Sequence, residues 1–157
     1  MNDSDVIDRA AGLASGDPLH TARRVRAKVV DATQASHDAL LMQPVPGLSQ
    51  ADRLRVAVHA CEAAGAMSLA DHYADLLAGA GDDGAPSSPA LPAMLQFAAT
   101  LTTDPRRGDR AAIAALKTAG LDDAAIVALA QLVAFLSYQV RVVAGLQALR
   151  SSRRDTR

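Results

Sequence analysis

Aromatic side chains are scarce: 3% of the 157 residues, with no tryptophan, two tyrosines and two phenylalanines. That removes the stacking platforms on which proteins hold single-stranded bases and sugars. Charge of one sign is also missing, because 16 Lys and Arg against 17 Asp and Glu leave a net charge of -1. Without a basic field, nucleic acid is not expected as a partner. A single cysteine, Cys61, cannot form an internal disulfide. The longest apolar run, residues 124–136, is interrupted by Gln131 and falls short of the roughly 20 residues that span a bilayer, so no membrane insertion is expected. The first residues, Met1-Asn2-Asp3-Ser4-Asp5, are polar and acidic where a secretory signal is basic and then apolar, which points to a cytoplasmic protein. No Gly-rich phosphate loop, His-Glu-x-x-His zinc helix or nucleophile elbow occurs, and neither a metal nor a cofactor is expected.

What remains is a chain that is 50% hydrophobic and 21% charged, enough for one domain with a core of Ala, Leu and Val. Its periodicity is helical throughout. Over residues 18–41, Leu19, Ala22, Val25, Val29, Ala32, Ala35 and Leu40 fall at helical spacing, with Arg23, Arg24, Arg26 and Lys28 toward the other face. Ser49 opens the next helix, and Ser49-Gln50-Ala51-Asp52 has the form of a capping box. Gly65 is a weak point at which that helix kinks or ends before a second segment over residues 66–78. Residues 79–92, rich in Gly, Pro and Ser, read as a linker dividing the chain into two helical lobes. Helices follow over 93–101 and 110–119, the latter ended by Gly120, and Asp122 is placed to cap a last helix over 123–149. The first half of that helix is apolar nearly all round, the pattern of a helix buried on every side in a core or a subunit interface.

Residues 65–72, Gly-Ala-Met-Ser-Leu-Ala-Asp-His, have the spacing of a thiol redox site, Cys-x-x-Cys-x-x-x-His, with Gly65 and Ser68 at the two sulfur positions and only His72 retained. This segment stands among others in a characteristic order: Arg53-Leu54-Arg55-Val56-Ala57-Val58 before it, Leu101-Thr102-Thr103-Asp104-Pro105 after it, then residues 114–127 and Phe135-Leu136-Ser137-Tyr138-Gln139-Val140-Arg141. In that order the chain resembles the alkylhydroperoxidase D-like, or carboxymuconolactone decarboxylase, family, and most closely its cysteine-less branch. The resemblance spans residues 48–150 and leaves 1–47 as an N-terminal helical extension and 151–157 as a basic tail. It implies an all-helical, oligomeric fold, with a cysteine-bearing homologue as a partner besides further copies of the chain. Carried over by position, it puts the proton-relay histidine on His72, the thiols on Gly65 and Ser68, and an acid on Arg53.

A serine hydroxyl neither ionises near neutral pH nor cycles through sulfenic acid and disulfide, so the implied peroxidase chemistry has lost its thiols. Cys61 lies one turn before Gly65 but has no second cysteine to resolve it. It reads as a small buried hydrophobe. Ser68 and His72, at i and i+4, share a helix face and form a possible acid/base couple; a structural histidine in a partly buried helix is the alternative. Tyr138, Gln139 and Arg141 make a polar-aromatic cluster that either lines a substrate pocket against His72 or ties helix ends and subunits together. Three functions are expected from these residues: a degenerate oligomeric partner of a cysteine-bearing homologue, a cofactor-free acid/base enzyme of decarboxylase type using His72, and a thiol peroxidase using Cys61 or a partner's cysteines.

Overall fold

The computed structural model describes residues 5–80 and 87–155. These residues form eight α-helices and no strand, apart from an isolated bridge between Val45 and Leu48. The helices are α1 (Val6–Ala11), α2 (Pro18–Arg24), α3 (Ala27–His37), α4 (Gln50–Ala63), α5 (Met67–Gly79), α6 (Leu91–Thr103), α7 (Arg110–Thr118) and α8 (Asp123–Asp155). A π-helical turn, Asp38–Met42, follows α3, and a 3₁₀ turn, Pro105–Arg107, precedes α7. The all-helical expectation holds.

Local chemistry sets the helix ends. The Asp52 amide donates to Ser49 Oγ at 3.1 Å, and the Ala125 amide to Asp122 Oδ1 at 2.8 Å, each satisfying an amide that has no partner within its helix. Gly65 (φ 70°) and Gly120 (φ 98°) take the left-handed conformation that stops α4 and α7. Behind Gly65 the Ala66 amide reaches back to the Cys61 carbonyl at 2.8 Å. Asp52 does not complete a capping box. Its carboxylate pairs with Arg55 at 2.9 Å and accepts from the Ser88 amide at 3.1 Å, fastening the segment that leads into α6 to the start of α4.

The two-lobe expectation fails. Helix α4 packs against α5, α6 and α8, and one apolar cluster runs from Val6 to Val143. Residues 81–86 of the expected linker lie outside the described residues. The N-terminal segment shares this core through Val6, Ile7, Ala10 and Ala11 of α1, which packs on α5 and α8. The basic tail begins as a continuation of α8, which is helical to Asp155.

Residues 18–41 are neither one helix nor oriented as their periodicity suggests. Arg26 (φ -110°, ψ 60°) interrupts the helix between α2 and α3. Of the expected core stripe only Leu19 is buried, while Val25 is 83% and Val29 50% exposed. Arg23 and Arg24 turn inward instead, while Arg26 and Lys28 are exposed. Asp8, with no solvent exposure, accepts from Arg23 and, at 2.8 Å, from Arg24, and Arg23 also reaches Asp5 at 3.0 Å. Two desolvated carboxylates, Asp5 at the N-cap of α1 and Asp8 within it, recruit the cations of α2, and that electrostatic contact outweighs the apolar face.

Helix α8, 33 residues and about 50 Å long, has an inner and an outer side. Leu129, Leu132, Val133, Leu136, Gln139 and Val143 are buried inward. The expected burial on every side is not met within one chain, because Ala124, Val127, Gln131, Ala134, Tyr138 and Arg141 are exposed along the outer side. By length and composition the span Asp123–Arg153 is apolar enough to cross a membrane, a test that the core helix of a soluble protein also passes.

Asp8→Ala leaves two arginines facing a buried gap, and should destabilise the fold by about 3–5 kcal/mol in urea denaturation.

Candidate functional site

The histidine retained from the redox frame sits in a cluster that His37, His72, Tyr73 and Gln139 form between the end of α3, the middle of α5 and the middle of α8. The His72 ring meets Tyr73 edge-on at 5.2 Å between centroids and tilts against His37 at 6.1 Å, while His37 stacks on Tyr73 at 6.1 Å. The Tyr73 hydroxyl donates to Gln139 Oε1, bridging α5 to α8 in the interior.

Three side-chain nitrogens are buried without a hydrogen-bond partner among the described residues: His37 Nε2, His72 Nε2 and Gln139 Nε2. All three belong to this cluster. A buried unpaired polar atom costs about 1–3 kcal/mol, so they mark the most expensive polar position of the core. Their chemistry is defined in part. His37 Nδ1 lies 3.0 Å from the Asp38 carboxylate, an acceptor only, so Nδ1 carries a proton and donates to it. Gln34 supports that arrangement by donating to the same carboxylate at 2.9 Å. Gln139 Oε1 is taken by Tyr73, which leaves the amide N–H groups as donors.

Burial depresses the His72 pKa to about 4, helped by the positive charge of Arg9 and by His37, and opposed by Asp75. At neutral pH its imidazole is uncharged. Burial, with the Cys61 thiol nearby, moves the Tyr73 hydroxyl well above its ordinary range. His72 and Tyr73 are thus both uncharged at neutral pH.

The expected partners of His72 are distributed differently. Ser68 Oγ accepts from Gln147 of α8 at 3.4 Å, and no hydrogen bond joins it to His72 among the described residues. The proposed acid/base couple is therefore not assembled. Gln139 does meet the His72 cluster, through Tyr73. Tyr138 faces outward, bonding Thr33 of α3 at 3.1 Å and packing on Phe135 at 6.3 Å between centroids. Arg141 lies two residues, or about 200°, around the helix from Gln139, on the far side of α8. It borders a cavity of about 70 Å³ with Ala60, Ala64, Thr102, Leu136 and Ser137. That volume is well below the roughly 300–1,000 Å³ of ordinary ligand pockets, and His72 does not line it. The cavity that Arg141 borders therefore does not join it to His72 among the described residues.

The thiol positions are equally remote from redox work. Cys61 is fully buried, and burial together with Glu62 pushes its thiol up to about 12, so no thiolate forms at neutral pH. Gly65 holds a left-handed backbone that a cysteine would strain. Arg53, where the resemblance would place an acid, is a buried clamp. Its guanidinium donates to the carbonyls of Leu40, Gln43 (2.8 Å) and Ser49 (3.4 Å), holding the π-helical turn next to His37, and burial lowers its pKa.

His37 and Tyr73 are members of the cluster that the sequence reading passed over. Tyr73 carried a signal, being one of two tyrosines in an aromatic-poor chain and adjacent to His72. His37 carried none, because its place depends on the break at Arg26 and the π-helical turn that follows. No family model and no curated protein sequence matches the chain. No group of three or more His, Cys, Asp or Glu among the described residues is placed to hold a metal ion.

Because the folded pKa of His72 lies below its unfolded value of about 6.5, the unfolded chain binds the extra proton between pH 6.5 and 4. Stability should therefore fall as pH drops through that window, and His72→Gln should flatten the decline in urea midpoints. The His72 C2–H resonance should titrate near pH 4 rather than 6.5. In its native state Cys61 should resist thiol reagents that modify it rapidly once the chain is unfolded.

Proposed function

We propose that this chain is a non-redox relative of the alkylhydroperoxidase D-like, or carboxymuconolactone decarboxylase, proteins, and acts as a cytoplasmic structural subunit that assembles with further copies of itself and with a cysteine-bearing homologue. The observation that carries this reading is the outer side of α8. Ala124, Val127, Gln131, Ala134, Tyr138 and Arg141 are exposed at alternating intervals of three and four residues, and none but the last is charged. That interval is the seam along which one helix packs against another. Val127 is 56% exposed and Tyr138 38%, and only 39% of the most apolar stretch of α8 is covered within one chain. A second helix on this seam supplies the missing burial.

Thiol peroxidase activity has no support, since the lone thiol is buried and protonated. The acid/base reading keeps one favourable observation, the unpaired nitrogens around His72. A base with a pKa near 4 is poorly matched to proton transfer at neutral pH, and neither Ser68 nor Arg141 stands with it. Assembly therefore ranks ahead of catalysis.

Light scattering coupled to size-exclusion chromatography should give a mass of at least two chains at micromolar concentration. Val127→Glu should shift it to one chain while leaving the helical circular dichroism unchanged. A wild-type monomer that also fails to co-purify with a co-expressed cysteine-bearing homologue contradicts the proposal. Hydroperoxide consumption with dithiol reductants should stay at background, and turnover abolished by Cys61→Ser would restore the peroxidase reading.

A further inference from the structure

A second concave feature lies where the end of α1 meets the last third of α8. It is a cleft of about 360 Å³ lined by Arg9, Gly12, Gln147, Arg150 and Ser151 among others, and within the size range of small-ligand pockets. Both charged groups on its walls are guanidinium, and no carboxylate lines it among the described residues.

The arginine head is held in place. Arg150 Nη1 donates to the Ala11 carbonyl at 3.1 Å, and Gln147 Nε2 to the Ala10 carbonyl at 3.1 Å and to Ser68 Oγ at 3.4 Å. These bonds occupy the carbonyls at the end of α1, which would otherwise repel an anion. Gly12, at φ +69°, makes room for the contact, because a Cβ there would collide with the Arg150 guanidinium. A guanidinium carries five N–H donors, and Arg150 uses one of its terminal nitrogens on Ala11. Arg9 also lines the cleft; its guanidinium makes no hydrogen bond or ion pair among the described residues, and its charge reaches the His72 ring.

Two cations line the cleft, Arg150 held by a backbone carbonyl and Arg9 without a hydrogen bond or ion pair among the described residues, a pair suited to an oxyanion. We propose that this cleft binds a small free oxyanion, phosphate or the carboxylate of a small acid, between Arg9 and Arg150, with the Ser151 hydroxyl as a further donor. The inference is independent of the assembly reading, because affinity and mass are separate readouts.

Isothermal titration of the full chain with inorganic phosphate, and separately with succinate, tests it at low ionic strength. At least one should bind with a dissociation constant below roughly 10 mM. Arg9→Gln and Arg150→Gln should each weaken that binding about tenfold or more, as expected for loss of a charge-assisted hydrogen-bond donor. Arg9 is exposed, so its variant keeps the fold and serves as the control if Arg150→Gln is unstable. The groups acting on the His72 ring are Arg9, His37 and Asp75, so an anion beside Arg9 should offset its charge and move the His72 titration upward. Absence of binding by both anions overturns the proposal. So does binding that neither substitution weakens, and so does binding to vesicles of anionic phospholipid without binding to either free anion.

Discussion

The inner face of α8 is the constraint on which the rest of the molecule depends. Leu129, Leu132, Val133, Leu136 and Val143 present one continuous apolar surface, and α1, α4, α6 and the π-helical turn all pack on it. In a chain so poor in aromatics, packing of small aliphatic side chains along a single long helix replaces the bulky anchors that other cores use. Gln139 interrupts this surface, and its bond to Tyr73 is what gives the interior a polar centre.

That centre has consequences for chemistry. Removing imidazole, phenol and thiol from water penalises their charged forms, so His72 is driven down, and Cys61 and Tyr73 upward. Each shift carries its group away from the protonation state useful at neutral pH. The same burial that stabilises the core silences its nucleophile. Where the redox frame would place a thiol, the chain uses a left-handed glycine to turn from α4 into α5, and where it would place an acid, Arg53 ties down the loop that carries His37.

The helix ends set by local chemistry were legible: Ser49 and Asp122 cap, while Gly65 and Gly120 stop, as their residue types demand. The orientation of α2 and α3 was not. The periodicity of Ala22, Val25 and Val29 is real, but a non-local ion cluster on Asp5 and Asp8 decides which face turns inward. Asp52 is a similar case, since its carboxylate reaches Ser88, far beyond the capping turn. Of the site, His72 and Gln139 could be singled out by residue type. Their connection through Tyr73, and the separation of Arg141 from them, follow from the rotational setting of α8, which no local pattern specifies.

The two sides of α8 carry the central claim, that the outer seam is an interface rather than a solvated face. Placing a single reporter thiol on the seam, as Val127→Cys in a Cys61→Ala background, and measuring its labelling rate against protein concentration tests this most directly. The account predicts slow labelling at high concentration that accelerates on dilution as the seam is uncovered. Labelling at the rate of a free thiol at every concentration would contradict it.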